Sequence, residues 1–423
     1  MRTKIVLLAA ALLPSLALAN GYDVPSVTPR DLALVSSGTA AQRDAGATYA
    51  NPAALSRVRG LSLNVAGSFL DLKTSWSAPS GSVMAGSPDA STKFKPVPPV
   101  AAYAAYGFDL GGRGVGLGLG MNVPGGGNVF WDDSWAGRGR IITVDRKVYG
   151  FYLAGGVEVL PGLRAGGGLV YYYTTEYLKQ GIQPSSSSYG ELSTKGGAPS
   201  FDLSAEYTPP LAGTALTFGL DYKHKATQQL SGNGNFVVPD ALLQPSAANP
   251  TALPPVDQGV KHELTYPNVL NVGVAYRPPV DGLQLTFVYT LSRYSVYSDD
   301  TFVGDKGTTI TVPRNYGNGH TFRAGAEYDY TPRLTLRAGL LRDLSGLRTD
   351  TYSPTLPDGN CWAGAVGAGW KVTPDLSVAG AFFYALLDQV TTSGTAVMPG
   401  KYDSSVYIVS LGATWRADLV AAK

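Results

Sequence analysis

Leu283, Leu285, Phe287, Tyr289 and Leu291 take every second position of one stretch, and Gln284, Thr286, Thr290 and Ser292 take positions between them. A two-residue period of this kind belongs to a β-strand with one greasy face. The pattern recurs from residue 61 to near the end of the chain. Phe322, Ala324, Ala326, Tyr328 and Tyr330 alternate with Thr321, Arg323, Gly325, Glu327 and Asp329. Leu216, Phe218, Leu220 and Tyr222, and later Tyr407, Val409, Leu411, Ala413 and Trp415, do the same against polar or small partners. Two folds are written this way: a soluble sandwich with its core on one face, or a barrel whose apolar face meets lipid while the polar face lines a lumen.

Turn spacing and composition favour the barrel. Short turns recur at Gly111-Gly112, Pro161-Gly162, Pro209-Pro210, Asp281-Gly282, Thr331-Pro332 and Thr373-Pro374. Between them lie long polar stretches, such as Gln183 to Gly190, Asn233 to Pro255 and Leu347 to Gly359. Tight turns at one end and long loops at the other mark outer-membrane barrels. Tyr207, Tyr276, Tyr330 and Trp370 stand beside short turns, where an interfacial aromatic girdle belongs. Only 15% of residues are charged, against roughly 25% in soluble domains, too few for the outward face of a sandwich.

Fourteen segments emerge, near 61–76, 97–109, 113–123, 139–159, 162–180, 190–208, 214–232, 256–277, 282–303, 309–330, 333–346, 360–373, 375–390 and 402–417. The expected fold is all-β: a 14-stranded antiparallel transmembrane β-barrel over 61–417, with an N-terminal luminal hatch at 20–60 and a tail at 418–423.

Arg2 and Lys4 precede an apolar run from Ile5, and Ala17-Leu18-Ala19 supplies a small-residue cleavage site, so residues 1–19 read as a secretory signal peptide. Its removal takes Lys+Arg from 33 to 31, equal to the 31 Asp+Glu. A neutral mature chain gives no reason to expect a nucleic-acid partner. The lone Cys361 cannot form an internal disulfide.

Residues 20–60 do not alternate. Ala40, Ala41, Ala45, Ala47, Ala50, Ala53 and Ala54 make a segment too short and too poor in large apolar groups to fold alone, but suited to a lumen that supplies polar partners. The third strand carries Gly114, Gly116, Gly118 and Gly120 on one face, then Pro124-Gly125-Gly126-Gly127. Glycine inside a strand marks a bulge or close approach by another backbone or a ligand. That bare face therefore serves either close approach by the plug or a ligand, or simple room for the plug.

Arg323, Glu327, Asp329 and Arg337 are expected to pair across neighbouring strands and tie the wall to the plug, and one Arg is available to a carboxylate cargo. His224, His262 and His320 read as solvated, loop-side residues outside any catalytic signature. Asp132-Asp133 and Asp299-Asp300 have Ca²⁺-binding chemistry, and are equally solvated turns. No metal site, cofactor or catalytic residue is assigned.

Several separated stretches resemble the long-chain fatty acid and toluene/xylene outer-membrane transporters of the FadL type. They are Gly38 to Leu55 with Asp44 ahead of Asn51-Pro52-Ala53, then Asp133 to Arg138, Tyr266-Pro267 leading into Asn271 to Arg277, and Leu336 to Gly339. Leu356-Pro357-Asp358-Gly359 and Gly367 to Trp370 complete the set. The resemblance implies a hatch containing Asp44, Asn51, Pro52 and Ala53, and passive uptake of hydrophobic compounds with lateral exit at the third strand, by way of Gly114, Gly116, Gly118, Gly120 and Pro124. It also implies residence in a Gram-negative outer membrane among lipid and lipopolysaccharide, as a monomer and without enzymatic activity. One departure stands out: Trp415 is followed by eight more residues, whereas such barrels end on an aromatic residue. The alternative reading is a porin without hydrophobic cargo.

Overall fold

The computed structural model describes residues 28–95, 98–182, 187–210, 215–237, 257–307, 309–392 and 398–417. The signal peptide, the tail at 418–423 and parts of the long polar stretches lie outside them.

The alternating segments pair edge to edge until the sheet meets itself. Fourteen antiparallel staves make up the wall. In chain order they are β1 (Gly60–Ser77), β2 (Val100–Leu110), β3 (Arg113–Phe130), β4 (Thr143–Leu160), β5 (Leu163–Gly181), β6 (Tyr189–Tyr207) and β7 (Ala215–Lys223, continuing as Ala226–Val237). Next come β8 (Gln258–Tyr266 and Val269–Arg277), β9 (Leu283–Ser292 and Asp299–Gly304) and β10 (Thr309–Pro313 and Gly319–Asp329). The last four are β11 (Leu334–Leu344), β12 (Cys361–Lys371), β13 (Leu376–Leu387 with Val390–Thr392) and β14 (Gly400–Ala417). β14 pairs with β1 from Leu61 opposite Ala417 to Ser77 opposite Lys401, which closes the ring. Closure joins the first and last staves, as hydrocarbon demands when no water is present to satisfy the backbone groups of free end strands. No described helix is long and apolar enough to cross a membrane.

The two faces sort as the alternation requires. Leu119, Leu169, Leu411 and Phe287 stand exposed on the outside, whereas Gln284, Thr286, Ser410 and Thr321 are buried inside. Tyr207, Tyr276, Tyr330 and Trp370 point outward near the short turns. Staves β7 to β10 are each interrupted between an inner segment and an outer one, as at Pro267 in β8, which has no N–H to continue the ladder.

The largest departure from the expected boundaries is at the end of β3. β3 does not end at 123 but runs to Phe130, because Gly125 to Phe130 rejoin β4 after a bulge: Asn122 pairs with Gly150, then Gly125 with Val148, three steps against two.

Residues 28–58 cross the lumen as three short turns of helix: α1 (Pro29–Ala33), α2 (Ala47–Ala50) and a 3₁₀ turn (Pro52–Arg57). α1 packs on β11 to β14, and the 3₁₀ turn packs on β2 to β6 at the other side. Leu32, Ala33 and Val35 share a core with Phe383 and Ile408, while Ala45, Ala54, Leu55 and Val58 share another with Ala101, Tyr103 and Ala154. Each fully buried Leu contributes about 1.5–3 kcal/mol to this docking.

Candidate functional site

Local chemistry shapes the luminal segment. Thr28 caps α1, its hydroxyl accepting from the Asp31 amide and donating to the Asp31 carboxylate at 2.7 Å, with Pro29 in the first turn. Asn51, wholly buried, sits just before the 3₁₀ turn. Its Nδ2 donates to the Thr39 carbonyl at 2.7 Å, and its Oδ1 accepts from the Ala53 amide at 3.2 Å. Pro52 opens the turn, where a missing N–H costs nothing, and the Ala53 amide also donates to Ser204 Oγ on the wall at 2.8 Å. Asp44 caps α2's approach by accepting from the Gly46 amide at 2.9 Å, and lies 3.6 Å from Arg416 on β14.

Charges fasten the segment from several sides. Arg30 meets Glu327 of β10 at 3.1 Å, and Arg337 of β11 meets the same carboxylate at 2.6 Å. Arg57 pairs with Glu206, which also holds Arg164 at 3.3 Å. Lys223 donates to the Tyr49 carbonyl. Glu327 and Arg337 thus pair across strands and tie wall to segment, while Asp329 instead accepts from Thr335 at 2.6 Å and Arg323 donates to Thr290.

The glycine run faces this segment directly. A Cβ at Gly116 would overlap the Leu55 carbonyl, one at Gly114 the Ser56 carbonyl, and one at Gly118 the Thr48 hydroxyl. At Gly120 it would overlap the Tyr103 ring. What approaches the bare face is therefore residues 48–56 and one wall tyrosine. Gly156 and Gly166, on the next two staves, meet Pro52 and Ala53 in the same way. Gly116, Gly118 and Gly120 are ladder-paired on both sides, to β2 and to β4, whereas Gly114 pairs with β2 alone.

Above them the wall changes. β2 begins only at Val100, and its last pairing with β3 is Ala102 opposite Met121. Among the described residues, Asn122 and Gly125 to Val129 of β3 have ladder partners on the β4 side alone. The chain that would have continued β2 outward contains Pro96, Pro98 and Pro99, which lack the donor a ladder needs. Pro124 sits in the bulge, and its carbonyl accepts from the Tyr266 hydroxyl of β8 at 2.8 Å, which holds the bulge inward across the lumen. A strap closes the outer side of this unpaired stretch: the Thr92 amide donates to the Thr74 carbonyl at 2.9 Å and the Lys93 amide to that of Phe130 at 2.6 Å. Lys93 also pairs with Asp132 at 3.0 Å. The Ser134 hydroxyl and amide, helped by Lys93, hold the Asp132 carboxyl well below the usual carboxylate range.

An elongated cavity of about 440 Å³ lies between β3 to β6 and β8 to β10, toward the long loops. Ile141, Val144, Leu178, Val260, Phe302 and Ile310 form apolar walls. Arg146, Asp300 and Arg314 bring charge to it. Arg146 donates from Nε and Nη2 to the one Glu176 Oε1, and Arg314 reaches Asp300 at 2.8 Å. Apolar walls with few convergent polar groups, at this size, are what small-molecule sites look like. A second, more polar space of about 700 Å³ opens on the short-turn side of the luminal segment, beside Arg30, Arg43, Asp44, Glu327 and Arg337.

Two sequence expectations need correction. His262 is not a solvated loop residue: it is buried on β8, edge-on to Phe302 with ring centroids 4.4 Å apart. Asp300 is not a solvated turn either, since Arg314 and Tyr297 draw it into the interior. Both sit on outer extensions of staves that the alternation covered, but parity alone does not reveal what faces them. His224 and His320 each accept or donate at a tyrosine hydroxyl, Tyr222 at 2.9 Å and Tyr289 at 2.8 Å. Asp132 and Asp133 face Lys93 and Lys179, and Asp299 accepts from Ser298 and Thr301. No group of three or more metal-ligating side chains occurs among the described residues.

The sequence matches, over residues 10–416, the family described as outer membrane protein transport protein (OMPP1/FadL/TodX). The chain belongs to that family. Solved structures agree on its fold. A Pseudomonas aeruginosa FadL homologue superposes with a TM-score of 0.80 at 21% identity, covering 94% of this chain and 99% of its own. The Pseudomonas putida toluene transporter TodX gives 0.75 at 15% identity, covering 93% and 99%. The Ralstonia pickettii toluene transporter TbuX gives 0.67 at 16%, covering 92% and 98%. No curated protein sequence matched significantly. As an OMPP1/FadL/TodX barrel the chain resides in the outer membrane, crossing it with strands. Within this family frame, residues 28–58 are the luminal element and Asn122 to Val129 the irregular part of its wall.

Proposed function

We propose that this barrel carries small hydrophobic molecules inward across the outer membrane, without catalysis and as a monomer. Cargo settles in the cavity between β3 to β6 and β8 to β10, residues 28–58 act as the hatch, and cargo leaves sideways into lipid beside β3. One observation carries the reading: the lumen is crossed from wall to wall by residues 28–58, while just above them β3 lacks a strand partner on one side. An aqueous exit is unfavourable for such cargo, because each CH₂ moved into water costs about 0.8 kcal/mol. The unpaired stretch, Asn122 to Val129 with Pro124 at its bulge, offers a way into hydrocarbon that avoids that cost. The glycine run Gly114 to Gly120 serves this route by seating the hatch close to the wall. Membership in a family that includes toluene transporters supports hydrophobic cargo.

The test is uptake of a radiolabelled panel of alkanes, monoaromatics and fatty acids by outer-membrane-intact cells with and without the gene. Faster uptake of at least one hydrophobic compound is expected in cells that carry it. Equal rates for the whole panel would defeat the proposal.

A further inference from the structure

Two buried side chains beside the cavity carry polar atoms with no hydrogen-bond partner among the described residues. Asp300 is 1% exposed and lines the cavity, and its Oδ2 is taken by Tyr297 at 2.6 Å and Arg314 at 2.8 Å. Its Oδ1 accepts no hydrogen bond. Neither ring nitrogen of His262, 2% exposed, has a partner; Nε2 lies 3.6 Å from that same Oδ1, beyond hydrogen-bond range. Buried polar groups of this kind are otherwise almost always satisfied.

The charges nearby are already balanced. Arg146 donates to Glu176 and lies 4.0 Å from Asp300 Oδ1, an ion pair beyond hydrogen-bond range, and Arg314 is held by Asp300, so among the described residues the inner end of the cavity offers a carboxylate no unengaged cation and sets two carboxylates beside it. A hydrocarbon leaves Asp300 Oδ1 against methylene. A neutral hydroxyl has the group both alternatives lack, a donor without charge.

Resting on the transport reading above, we propose that the cavity selects a neutral hydroxylated hydrophobe, an alkyl or aryl alcohol. Its hydroxyl donates to Asp300 Oδ1 while its tail lies along Ile141, Val144, Leu178 and Phe302. Hydrogen bonds to a charged acceptor are the stronger kind, and a buried acceptor gains most from being satisfied. The competing arrangement puts a carboxylate at the exposed Arg140 on the cavity's rim, where an ion pair is worth little.

The experiment measures equilibrium binding of radiolabelled decanol, decanoate, decane and methyl decyl ether to the mature chain held in amphipol. Methyl decyl ether accepts a hydrogen bond but has none to give. Decanol is expected to bind about tenfold more tightly than each of the other three. In Asp300→Asn the side-chain oxygen turns to Arg314 and an NH₂ faces the cavity, so the preference for decanol over the ether shrinks or reverses. Decane or the ether matching decanol overturns the hydroxyl assignment and leaves the transport reading standing. Decanoate matching or exceeding decanol overturns it in favour of the rim. Absence of binding by every probe removes this cavity as a cargo site, and the inference with it. If Asp300→Asn fails to assemble, the four probes on the wild-type chain decide alone.

Discussion

Gly116 is one of the residues at which the wall and residues 28–58 come closest, since even a β-carbon there overlaps the Leu55 backbone. Gly116→Val therefore pushes the 3₁₀ turn off the wall; overpacking of this kind costs about 1–3 kcal/mol where neighbours can shift. The expected result is a barrel that assembles but conducts ions in planar bilayers several times more than wild type. Gly155→Ala is the control, because a Cβ there meets only ordinary contacts, with Leu117 at 3.4 Å. Equal conductance in all three proteins would show that the glycine does not seat the hatch. Asp132 supplies a second residue-scale test. Its carboxyl is depressed in the folded state, so its contribution to the Lys93 clasp is fully present above the ordinary value of about 4 and is lost only as pH falls through a lower one. A titration of the Asp132 carboxyl carbon by NMR is expected to show no midpoint near 4; a midpoint there would mean that the clasp does not form. At this scale the sequence was partly legible. A bare strand face was visible in four alternate glycines, whereas its partner was not, because Leu55 and Ser56 contribute backbone oxygens that no residue type advertises. His262 and Asp300 escaped for a related reason: they lie on outer extensions of β8 and β9 that pair side by side, and what covers them, Phe302 for the first and Arg314 and Tyr297 for the second, is not signalled by parity.

Among the elements, β2 and β3 depart furthest from the regular stave. Prolines before Val100 stop the first, and an extra residue near Pro124 bends the second. Deleting Pro124 makes the count between Asn122 and Gly125 two against two, matching Gly150 to Val148, so every later side chain of β3 keeps its face. The variant is expected to fold with an unkinked β3 and to lose at least about tenfold of hydrophobic uptake, a barrier rise of about 1.4 kcal/mol, while cargo binding persists. Unchanged uptake by a correctly inserted variant would rule out the route beside β3. Most elements were readable in advance, since β1, β6, β9 and β14 match their alternating segments to within one or two residues. β3 was not, because glycine-rich sequence after a proline reads as a turn, and only pairing with β4 restores it to a strand.

For the whole molecule, ring closure and the luminal segment belong together. The sheet closes on itself through β1 and β14, and residues 28–58 contact staves from β2 to β6 on one side and β11 to β14 on the other. Reconstituted wild-type protein is expected to show little steady ion conductance, in contrast to an open porin. A large, constant conductance would mean that the segment does not occlude the lumen in a membrane. This level was the most legible of all, because period, turn spacing and low charge each exclude most other architectures, and the family match reports the same fold. The seam between β1 and β14 joins staves from opposite ends of the described chain, Leu61 meeting Ala417. The hydrogen bonds that make the wall continuous therefore wait for the last stave to be synthesised, and until then the first stave keeps a bare flank that only its most distant partner can cover.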